Sequence, residues 1–400
     1  MRHVFRVLAF AAAFTATPAL ALGTTFSIDW QSPSVGLVDG FLGVPIDEGS
    51  VLTPTLPGPP GPNPAAPGPL PPPGVEVGAL PGSPGVFPGG LGILPGAFGF
   101  LELDALSYGH DATSGSFVFS VDEFAAGVPG PAPPEVFTEG VLGASEASAD
   151  VFRYLGPVAP TPPGPVIGNT AFIDGNCFVP SGAPGLGLIE PNPPTPFLVP
   201  DPGDNLDALD VDTSLADLGG AIYFSLDSFF PDLLEVSPPA NSGTALGNGF
   251  SGADVLVSFA GGLPFVAIPA FTLGLDLFGF DTDDLDALVA ADTTGDGALD
   301  TVYFSVRRGS AVIGAPDSAF GLPIEEGDIL TLPFAPGLPP AIFIAAEALG
   351  LGTLRSGTAG PFGADDLDAL DILAVPEPGA GLLVGIGLAT LLRMRRRGRN

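Results

Sequence analysis

The sequence contains no lysine and few of the residues that most enzymes use for catalysis. Its 400 residues include 11 Lys+Arg, 2 His, 1 Cys and 1 Trp. Zinc sites need several His or Cys ligands and phosphate-binding glycine loops need a lysine, so the sequence offers neither. A Ser-His-Asp triad would depend on His110, which lies in a turn-like segment, and there is no Gly-x-Ser-x-Gly motif. The composition therefore argues against an enzyme.

Disulfides and basic surfaces are also scarce. Cys177 has no partner, so no disulfide staples the chain internally. Acids number 44 and the formal net charge is −33. So acidic a chain repels phosphate backbones, which excludes nucleic-acid binding, and attracts divalent cations and basic surfaces. Solubility alone is the simpler explanation of the same excess.

What the chain does have is apolar residues and backbone breakers. Hydrophobic residues make up 46% and charged residues only 14%, alongside 58 Gly and 49 Pro. A charge-driven disordered chain would have the opposite balance, so we expect a packed core.

The first 21 residues have the order of a secretory signal. A basic start (Arg2, His3 and Arg6) precedes an apolar run, and Ala19-Leu20-Ala21 offers a small-x-small cleavage site. We therefore expect export by the Sec machinery and a mature chain that begins near Leu22.

The last 26 residues, 375–400, form a three-part tail. It consists of a proline motif, an apolar run at 379–392 and an arginine cluster. The run is shorter than the ~20 residues of a stable membrane span, and the arginines should stay cytoplasmic. The motif is Val375, Pro376, Glu377 and Pro378, and the cluster includes Arg393, Arg395, Arg396 and Arg397.

This tail resembles the PEP-CTERM sorting signal of Gram-negative bacteria. The resemblance implies that the apolar run is a transient transmembrane anchor, cleaved by an exosortase near the Pro-Glu-Pro motif. It also implies residence in the cell envelope or outside the cell, often alongside exopolysaccharide. An ordinary C-terminal anchor would lead to nearly the same location. Because unrelated proteins carry this tail, it does not identify what residues 22–374 do.

Residues 22–374 contain a fourfold repeat of four short elements in fixed order. The first is Phe-Ser, the second an aliphatic pair after a small or acidic residue, the third Leu-Gly-(Leu/Ile) and the fourth Leu-Asp-Ala-Leu. Phe-Ser begins at Phe26, Phe119, Phe224 and Phe304, and the pairs follow Ser50, Asp150, Asp254 and Asp328. Leu-Gly-(Leu/Ile) begins at Leu91, Leu186, Leu273 and Leu349, and Leu-Asp-Ala-Leu at Leu103, Leu206, Leu285 and Leu367.

The repeat predicts an all-β fold. Apolar residues alternate with polar ones around Phe224 and Phe304, and glycine and proline punctuate the segments. Leu-Asp-Ala-Leu would equally suit one helical turn, and only its context favours a strand. If each element is a strand and Leu-Asp-Ala-Leu is the first strand of each blade, the copy at Leu367 would complete the blade that begins the chain. We therefore predict a four-bladed β-propeller closed by the C-terminal strand, with a linear array of β-modules or a sandwich as alternatives.

Two further features bear on the propeller. The pairing of an apolar-Asp-Ala strand with a Tyr-Phe strand is similar to hemopexin-type propellers, although these repeats are longer. Proline-rich stretches at 54–73, 157–165 and 191–202 all fall between the aliphatic pair and the next Leu-Asp-Ala-Leu. Insertions at equivalent places map to one face, where they would form a binding rim or solvated spacers.

The strongest local motif is the segment 292–300. Oxygen-bearing side chains alternate there around glycines, as a short Ca²⁺ loop requires. It resembles the calcium loops of FG-GAP propellers, and the resemblance implies a carbonyl ligand from Ala298. Tyr303 stands where an EF-hand has its glutamate, and an acidic hairpin turn is the alternative. The implied side-chain ligands are Asp292, Thr294, Asp296 and Asp300.

Other candidates belong to the repeat itself. The Leu-Asp-Ala-Leu aspartates could ring a propeller channel as a cation site or bond backbone amides at blade corners. Trp30, Tyr154 and Tyr223 are the aromatic residues to inspect for a ligand-binding face. The four aspartates are Asp104, Asp207, Asp286 and Asp368.

The sequence favours an exported, non-catalytic envelope scaffold or binding module, stabilised by Ca²⁺. Its ligand would be exopolysaccharide, cations or another envelope protein. One alternative is an extracellular glycan-active hydrolase that uses an Asp/Glu pair, the only catalytic chemistry that the composition leaves open. The other is a passive matrix component.

Overall fold

The structure is a computed structural model whose described residues form a four-bladed β-propeller. Four antiparallel sheets of four strands surround a common axis, which confirms the predicted fold. The described residues are 23–56, 71–87, 89–95, 101–108, 117–122, 125–127, 136–141, 147–154, 168–176, 185–188, 204–211, 221–227, 243–259, 262–291, 299 and 301–372.

Each blade begins with a strand that faces the axis, and the strands then follow outward. Blade 1 contains β18 (Ala369–Asp371), β1 (Thr25–Ser27), β2 (Val51–Thr53) and β3 (Gly74–Val77). Blade 2 contains β5 (Ala105–Ser107), β6 (Val118–Ser120), β8 (Val151–Tyr154) and β9 (Asn169–Ile173). Blade 3 contains β10 (Ala208–Val211), β11 (Ala221–Ser225), β12 (Val255–Phe259) and β13 (Phe265–Ile268). Blade 4 contains β14 (Leu285–Ala291), β15 (Thr301–Val306), β16 (Ile329–Thr331) and β17 (Ala341–Ile344).

The remaining elements are short and lie outside the blades. Strands β4 (Ile93–Pro95) and β7 (Ala125–Gly127) pair with each other. The helices are α1 (Val136–Val141), α2 (Gly243–Asn248), α3 (Ala270–Leu273) and α4 (Ala346–Leu349), with a 3₁₀ turn at Ala147–Ala149.

The C-terminal strand closes the ring, as predicted. In β18, Leu370 pairs with Phe26 of β1, and Asp371 pairs with Thr25. Blade 1 is therefore built from both ends of the described chain, and its innermost strand arrives last. An edge that would otherwise be exposed on β1 is paired.

The hydrophobic core consists of four clusters, each of which joins two neighbouring blades. The phenylalanine of each Phe-Ser element is fully buried in a different cluster. Blades therefore pack on both faces, which is why the strands contain more buried residues than an alternating pattern would provide. The four phenylalanines are Phe26, Phe119, Phe224 and Phe304.

The serine of each Phe-Ser element ties its blade to the next one. Each buried hydroxyl donates a hydrogen bond to the carbonyl of the first leucine of the following Leu-Asp-Ala-Leu motif. The pairs are Ser27 with Leu103 at 2.7 Å, Ser120 with Leu206 at 3.0 Å, Ser225 with Leu285 at 3.2 Å and Ser305 with Leu367 at 2.7 Å. This ring of four bonds gives a physical reason for the repeated serine.

The acid before the aliphatic pair also has a repeated task. The carboxylate of Asp254 accepts the amide of Ala270 at 2.8 Å, and that of Asp328 accepts the amide of Ala346 at 2.9 Å. Asp150 accepts the amide of Gly175 at 2.8 Å. In each case the third strand is fixed to the segment that follows the outermost strand.

One part of the predicted blade is wrong: Leu-Gly-(Leu/Ile) is not the fourth strand. The outermost strands β3, β9, β13 and β17 come earlier in the chain, and the motif follows each of them. Its glycines have positive φ angles, which suit a turn. Those angles are 81° at Gly92, 77° at Gly187, 81° at Gly274 and 88° at Gly350.

The proline-rich stretches do not all occupy one connection. The stretches 54–73 and 157–165 both connect the third strand of a blade to the fourth, whereas 191–202 precedes β10. Most of their residues lie outside the described part of the chain, so the predicted common face is not tested.

Candidate functional site

A polar cavity of about 330 Å³ lies where the four innermost strands begin. Eight carboxyl side chains line it, together with two arginines, one asparagine, one glutamine and the single tryptophan. The acids are Asp29, Glu102, Asp104, Asp122, Asp207, Asp286, Asp366 and Asp368; the others are Trp30, Gln31, Asn205, Arg307, Arg308 and Gly309.

Three positions of the repeat supply most of this wall. The first is the aspartate of Leu-Asp-Ala-Leu, the second is the residue just before that motif, and the third is two residues after Phe-Ser. From blade 1 to blade 4 the first position holds Asp368, Asp104, Asp207 and Asp286, and the second holds Asp366, Glu102, Asn205 and Asp284. The third position holds Asp29, Asp122, Asp227 and Arg307.

The sheet ladder fixes these positions relative to one another. In every blade the backbone amide of the third position donates to the carbonyl of the second. The bonds are Asp29 to Asp366 at 3.3 Å, Asp122 to Glu102 at 3.5 Å, Asp227 to Asn205 at 3.2 Å and Arg307 to Asp284 at 3.1 Å. Backbone pairing therefore gathers acids from all four blades at one end of the axis.

The Leu-Asp-Ala-Leu aspartates all reach this cavity, which is one of the two arrangements that the sequence left open. Asp104, Asp207, Asp286 and Asp368 belong to its wall. Asp207 also accepts the side-chain amide of Asn205 at 3.2 Å. The alternative, that these aspartates only bond backbone amides at blade corners, does not account for their common position.

Two arginines offset part of the negative charge. Arg308 donates to Asp29 at 2.7 Å and to Gln31 at 3.0 Å, and its Nε lies 4.0 Å from Asp366. Arg307 Nη1 lies 3.2 Å from Asp227 Oδ2 and 3.6 Å from Asp284 Oδ2. Both arginines come from the Phe-Ser copy of blade 4, so the positive charge is unevenly distributed around the axis.

Burial raises the pKa of several cavity acids. For Glu102 burial is the largest cause, and the nearby carboxylates of Asp29, Asp122 and Asp368 add to it, so its pKa lies well above the usual value. Burial and neighbouring acids act in the same direction on the pKa values of Asp207, Asp286 and Asp368. The negative charge of the cavity therefore favours the binding of cations or protons.

The pKa of Asp366 is also raised. Burial raises it, the guanidinium of Arg308 lowers it, and the balance is about 7.

Three cavity-region aspartates meet closely enough to share a metal ion. One oxygen from each of Asp207, Asp227 and Asp284 lies within 4.8 Å of the others, and all three residues are buried. Asp227 and Asp284 lie behind the wall, at 0% exposure. The arrangement can hold a hard cation through oxygen ligands.

The aromatic candidates differ in their environments. Trp30 lines the cavity, and its amide donates to Glu102 at 2.6 Å. Tyr154 is 1% exposed and stacks on Phe117 with ring centroids 4.9 Å apart. Tyr223 is partly buried against the core of blades 3 and 4. Of the three, Trp30 alone belongs to a site where a ligand could bind.

The predicted calcium and sorting residues lie outside the described part of the chain. This applies to Asp292, Thr294, Asp296 and Asp300, to the signal segment 1–21 and to the sorting motif and arginine cluster. It applies also to Cys177 and His110. Among the residues that the structure describes, no helix has the length and apolar character of a membrane span.

Sequence reasoning missed most of the second and third positions. Asp29, Asp122 and Asp227 stand at the same offset from Phe-Ser in three repeats, and this regularity was the available signal. At the third position, Arg307 replaces the aspartate in the fourth repeat. At the second position, Glu102 and Asn205 replace it in two of the four blades.

Comparison of the chain with protein-family models, with curated proteins and with solved structures gave no match.

Proposed function

We propose that the protein is an exported, non-catalytic scaffold of the bacterial cell envelope, stabilised by Ca²⁺. Its ring would bind exopolysaccharide, cations or another envelope protein. The Sec machinery would export it, and an exosortase-type peptidase would process its tail.

The observation that carries this proposal is a ring-closed propeller placed between an export-like N-terminus and a PEP-CTERM-like tail. A ring whose innermost strand comes from the end of the chain resists opening without disulfides, which suits a protein exposed outside the cell. The acidic cavity at its axis supports the affinity for cations.

Thermal unfolding with Ca²⁺ and with a chelator tests the calcium part. We expect a higher Tm in Ca²⁺, because a ligand that binds only the folded state stabilises it. Asp296→Ala should remove the part of this rise that comes from the 292–300 loop. No rise in the wild type would refute calcium stabilisation.

The sorting part is tested in a Gram-negative host that has an exosortase. Replacing Pro376, Glu377 and Pro378 with alanine should leave the uncleaved chain in the membrane fraction, whereas the wild type is processed. Identical processing of both chains would contradict this assignment.

A glycan-active hydrolase is the second candidate, and Glu102 is the observation that favours it. This partly buried acid has a raised pKa in a cavity that also presents Trp30 and further carboxyl groups, as a general acid requires. Because Glu102 and Asp29 share a hydrogen bond, their carboxyl groups lie too close together to act as acid and nucleophile. Activity on a polysaccharide panel that is lost in Glu102→Gln would favour the hydrolase over the scaffold.

A further inference from the structure

The cluster of Asp207, Asp227 and Asp284 has the dimensions of a calcium site. One oxygen from each lies within 4.8 Å of the others. Ligands on opposite sides of one Ca²⁺ are about 4.6–5.2 Å apart, since each lies 2.3–2.6 Å from the ion. One ion can therefore contact all three carboxylates.

Within the described part of the chain, protein groups do not balance the charge of the cluster. Arg307 lies 3.2 Å from Asp227 and 3.6 Å from Asp284. Among the described residues, no donor other than Arg307 faces the carboxyl oxygens of Asp227 and Asp284, although both residues are fully buried. When all three carboxyl groups are ionised, one guanidinium leaves two negative charges, and buried charges are costly unless they are paired. A divalent cation supplies the missing charge.

A neutral oxygen beside the cluster gives independent support. Asn205 belongs to the cavity wall and is 4% exposed, and its Oδ1 meets no hydrogen-bond donor among the described residues. Its Nδ2 donates to Asp207 at 3.2 Å, and its carbonyl accepts the amide of Asp227 at 3.2 Å. The side-chain amide that carries this unpartnered oxygen is thus held against Asp207, and amide oxygens are among the ligands that Ca²⁺ uses.

The repeat explains why the cluster forms between blades 3 and 4. The same three positions hold Asp104, Asp122 and Asn205 one blade earlier, with a neutral residue in place of an acid. One blade later they hold Asp286, Arg307 and Asp366, with a guanidinium in the middle. In the remaining set, Asp29 is already bonded to Arg308 at 2.7 Å.

We propose that Asp207, Asp227 and Asp284 bind one divalent cation of the size of Ca²⁺, with the amide oxygen of Asn205 as a further ligand. This site is distinct from the 292–300 loop of the proposed function. Because Asp227 belongs to blade 3 and Asp284 to blade 4, the ion ties two blades together beside the axis.

Terbium luminescence on the full chain tests the site. Tb³⁺ replaces Ca²⁺ at oxygen sites and emits when a nearby tryptophan transfers energy to it. Trp30 lines the same cavity and is the only tryptophan in the sequence, so excitation at the red edge of tryptophan absorption selects this site. We expect Trp-sensitised emission that saturates with Tb³⁺ and that Ca²⁺ displaces. Its absence in the wild type would overturn the proposal without recourse to any variant.

Matched variants then assign the ligands. Asp227→Asn should weaken Tb³⁺ and Ca²⁺ binding at this site at least ~10-fold, since even residues behind metal ligands contribute that much. Asp317→Asn removes the same charge from a buried aspartate that accepts the amides of Ala319 and Leu322, and should leave the emission intact.

The loop variant separates this site from the proposed function. Asp296→Ala should retain the tryptophan-sensitised signal even if it abolishes loop binding. If Asp227→Asn does not fold, Asp207→Asn replaces it, since that change leaves Arg307 beside Asp227 and Asp284. Unchanged affinity in a folded Asp227→Asn or Asp207→Asn protein would refute the assignment.

Discussion

At the scale of single residues, Glu76 shows how the blade interface overrides a strand pattern. It lies in β3 between Val75 and Val77, and alternation would place its side chain in solvent. It is instead 2% exposed, because the β2–β3 ladder shifts register at this residue and Val75 and Val77 pack into different core clusters, one on each side of the blade. Its carboxyl group accepts the hydroxyl of Tyr108 at 3.3 Å. Burial raises the pKa of Glu76 to about 7, against the lowering effect of that hydrogen bond.

This raised pKa predicts a stability that falls with rising pH. The folded state holds the Glu76 proton more tightly than the unfolded state, so the stability contribution is complete below pH ~4.5 and is lost as pH rises through about 7. Glu76→Gln, which needs no proton, should gain up to roughly 3 kcal/mol over the wild type between pH 5 and pH 8. Urea unfolding in chelator at both pH values measures the difference.

Glu347 provides a control of opposite sign. It is equally buried, but hydrogen bonds from Arg355 and Thr353 outweigh burial and lower its pKa. Glu347→Gln should therefore lose stability relative to the wild type at pH 8. A Glu76→Gln protein whose difference from the wild type is the same at pH 5 and pH 8 would disprove the expectation.

At the scale of elements, the Leu-Gly-(Leu/Ile) turn of each blade packs closely against the backbone of the next blade. A Cβ on Gly350 would come within 2.5 Å of the carbonyl oxygen of Pro71, just before the outermost strand of blade 1. Gly274 meets the carbonyl oxygen of Leu338 in the same way, also at 2.5 Å, and Gly187 meets that of Gly262 at 2.7 Å. The turn therefore needs glycine for its φ angle and for the close approach of the next blade.

Gly350→Ala should consequently destabilise more than an ordinary glycine substitution. Gly357 in the same blade has a φ of 73° with nothing within 4 Å of its Cβ position, so Gly357→Ala measures the backbone strain alone. We expect about 1 kcal/mol for Gly357→Ala and about 2–4 kcal/mol for Gly350→Ala, since the collision adds to the strain. Equal losses in equilibrium unfolding would show that the blades do not meet closely here.

The elements also show what the sequence could and could not predict. The fixed order of motifs predicted the blades and the closing strand, because each blade repeats one packing problem. Leu-Gly-(Leu/Ile) was mistaken for a strand because its repetition reflects a contact between blades. The outermost strands have no common motif beyond apolar character, as Gly74–Val77 and Ala341–Ile344 illustrate.

The cavity was predictable only in part. The ring of four Leu-Asp-Ala-Leu aspartates could be predicted from the repeated motif. The contact between Asp227 and Asp284 depends on how one blade is rotated against the next. No spacing along the chain encodes that rotation.

At the scale of the whole molecule, stability depends on closing the ring. Strand β18 supplies the inner strand of blade 1, and Leu367 and Leu370 complete the core between blades 4 and 1. Just before this strand, the carbonyl of Leu367 accepts the hydroxyl of Ser305, the last of the four serine bonds. Because both ends of the described chain complete blade 1, each interface between blades depends on the others. In a linear array, each module would contact only its neighbours.

Two circular permutants with the same residues test whether a blade completed by both chain ends stabilises the ring. Asp371 pairs with Thr25, so a short glycine-serine linker can join Ile372 to Gly23 in both. Opening the first chain at 212–220 puts β10 and β11 at opposite ends, so that blade 3 is again completed by both termini. Opening the second chain at 191–200 leaves every blade continuous and no closing strand. Because only the first retains ladder bonds across its opening, we expect its Tm to stay near that of the parent and the Tm of the second to fall by several degrees. Equal Tm values in thermal unfolding would mean that packing between blades, without the closing strand, holds the ring together.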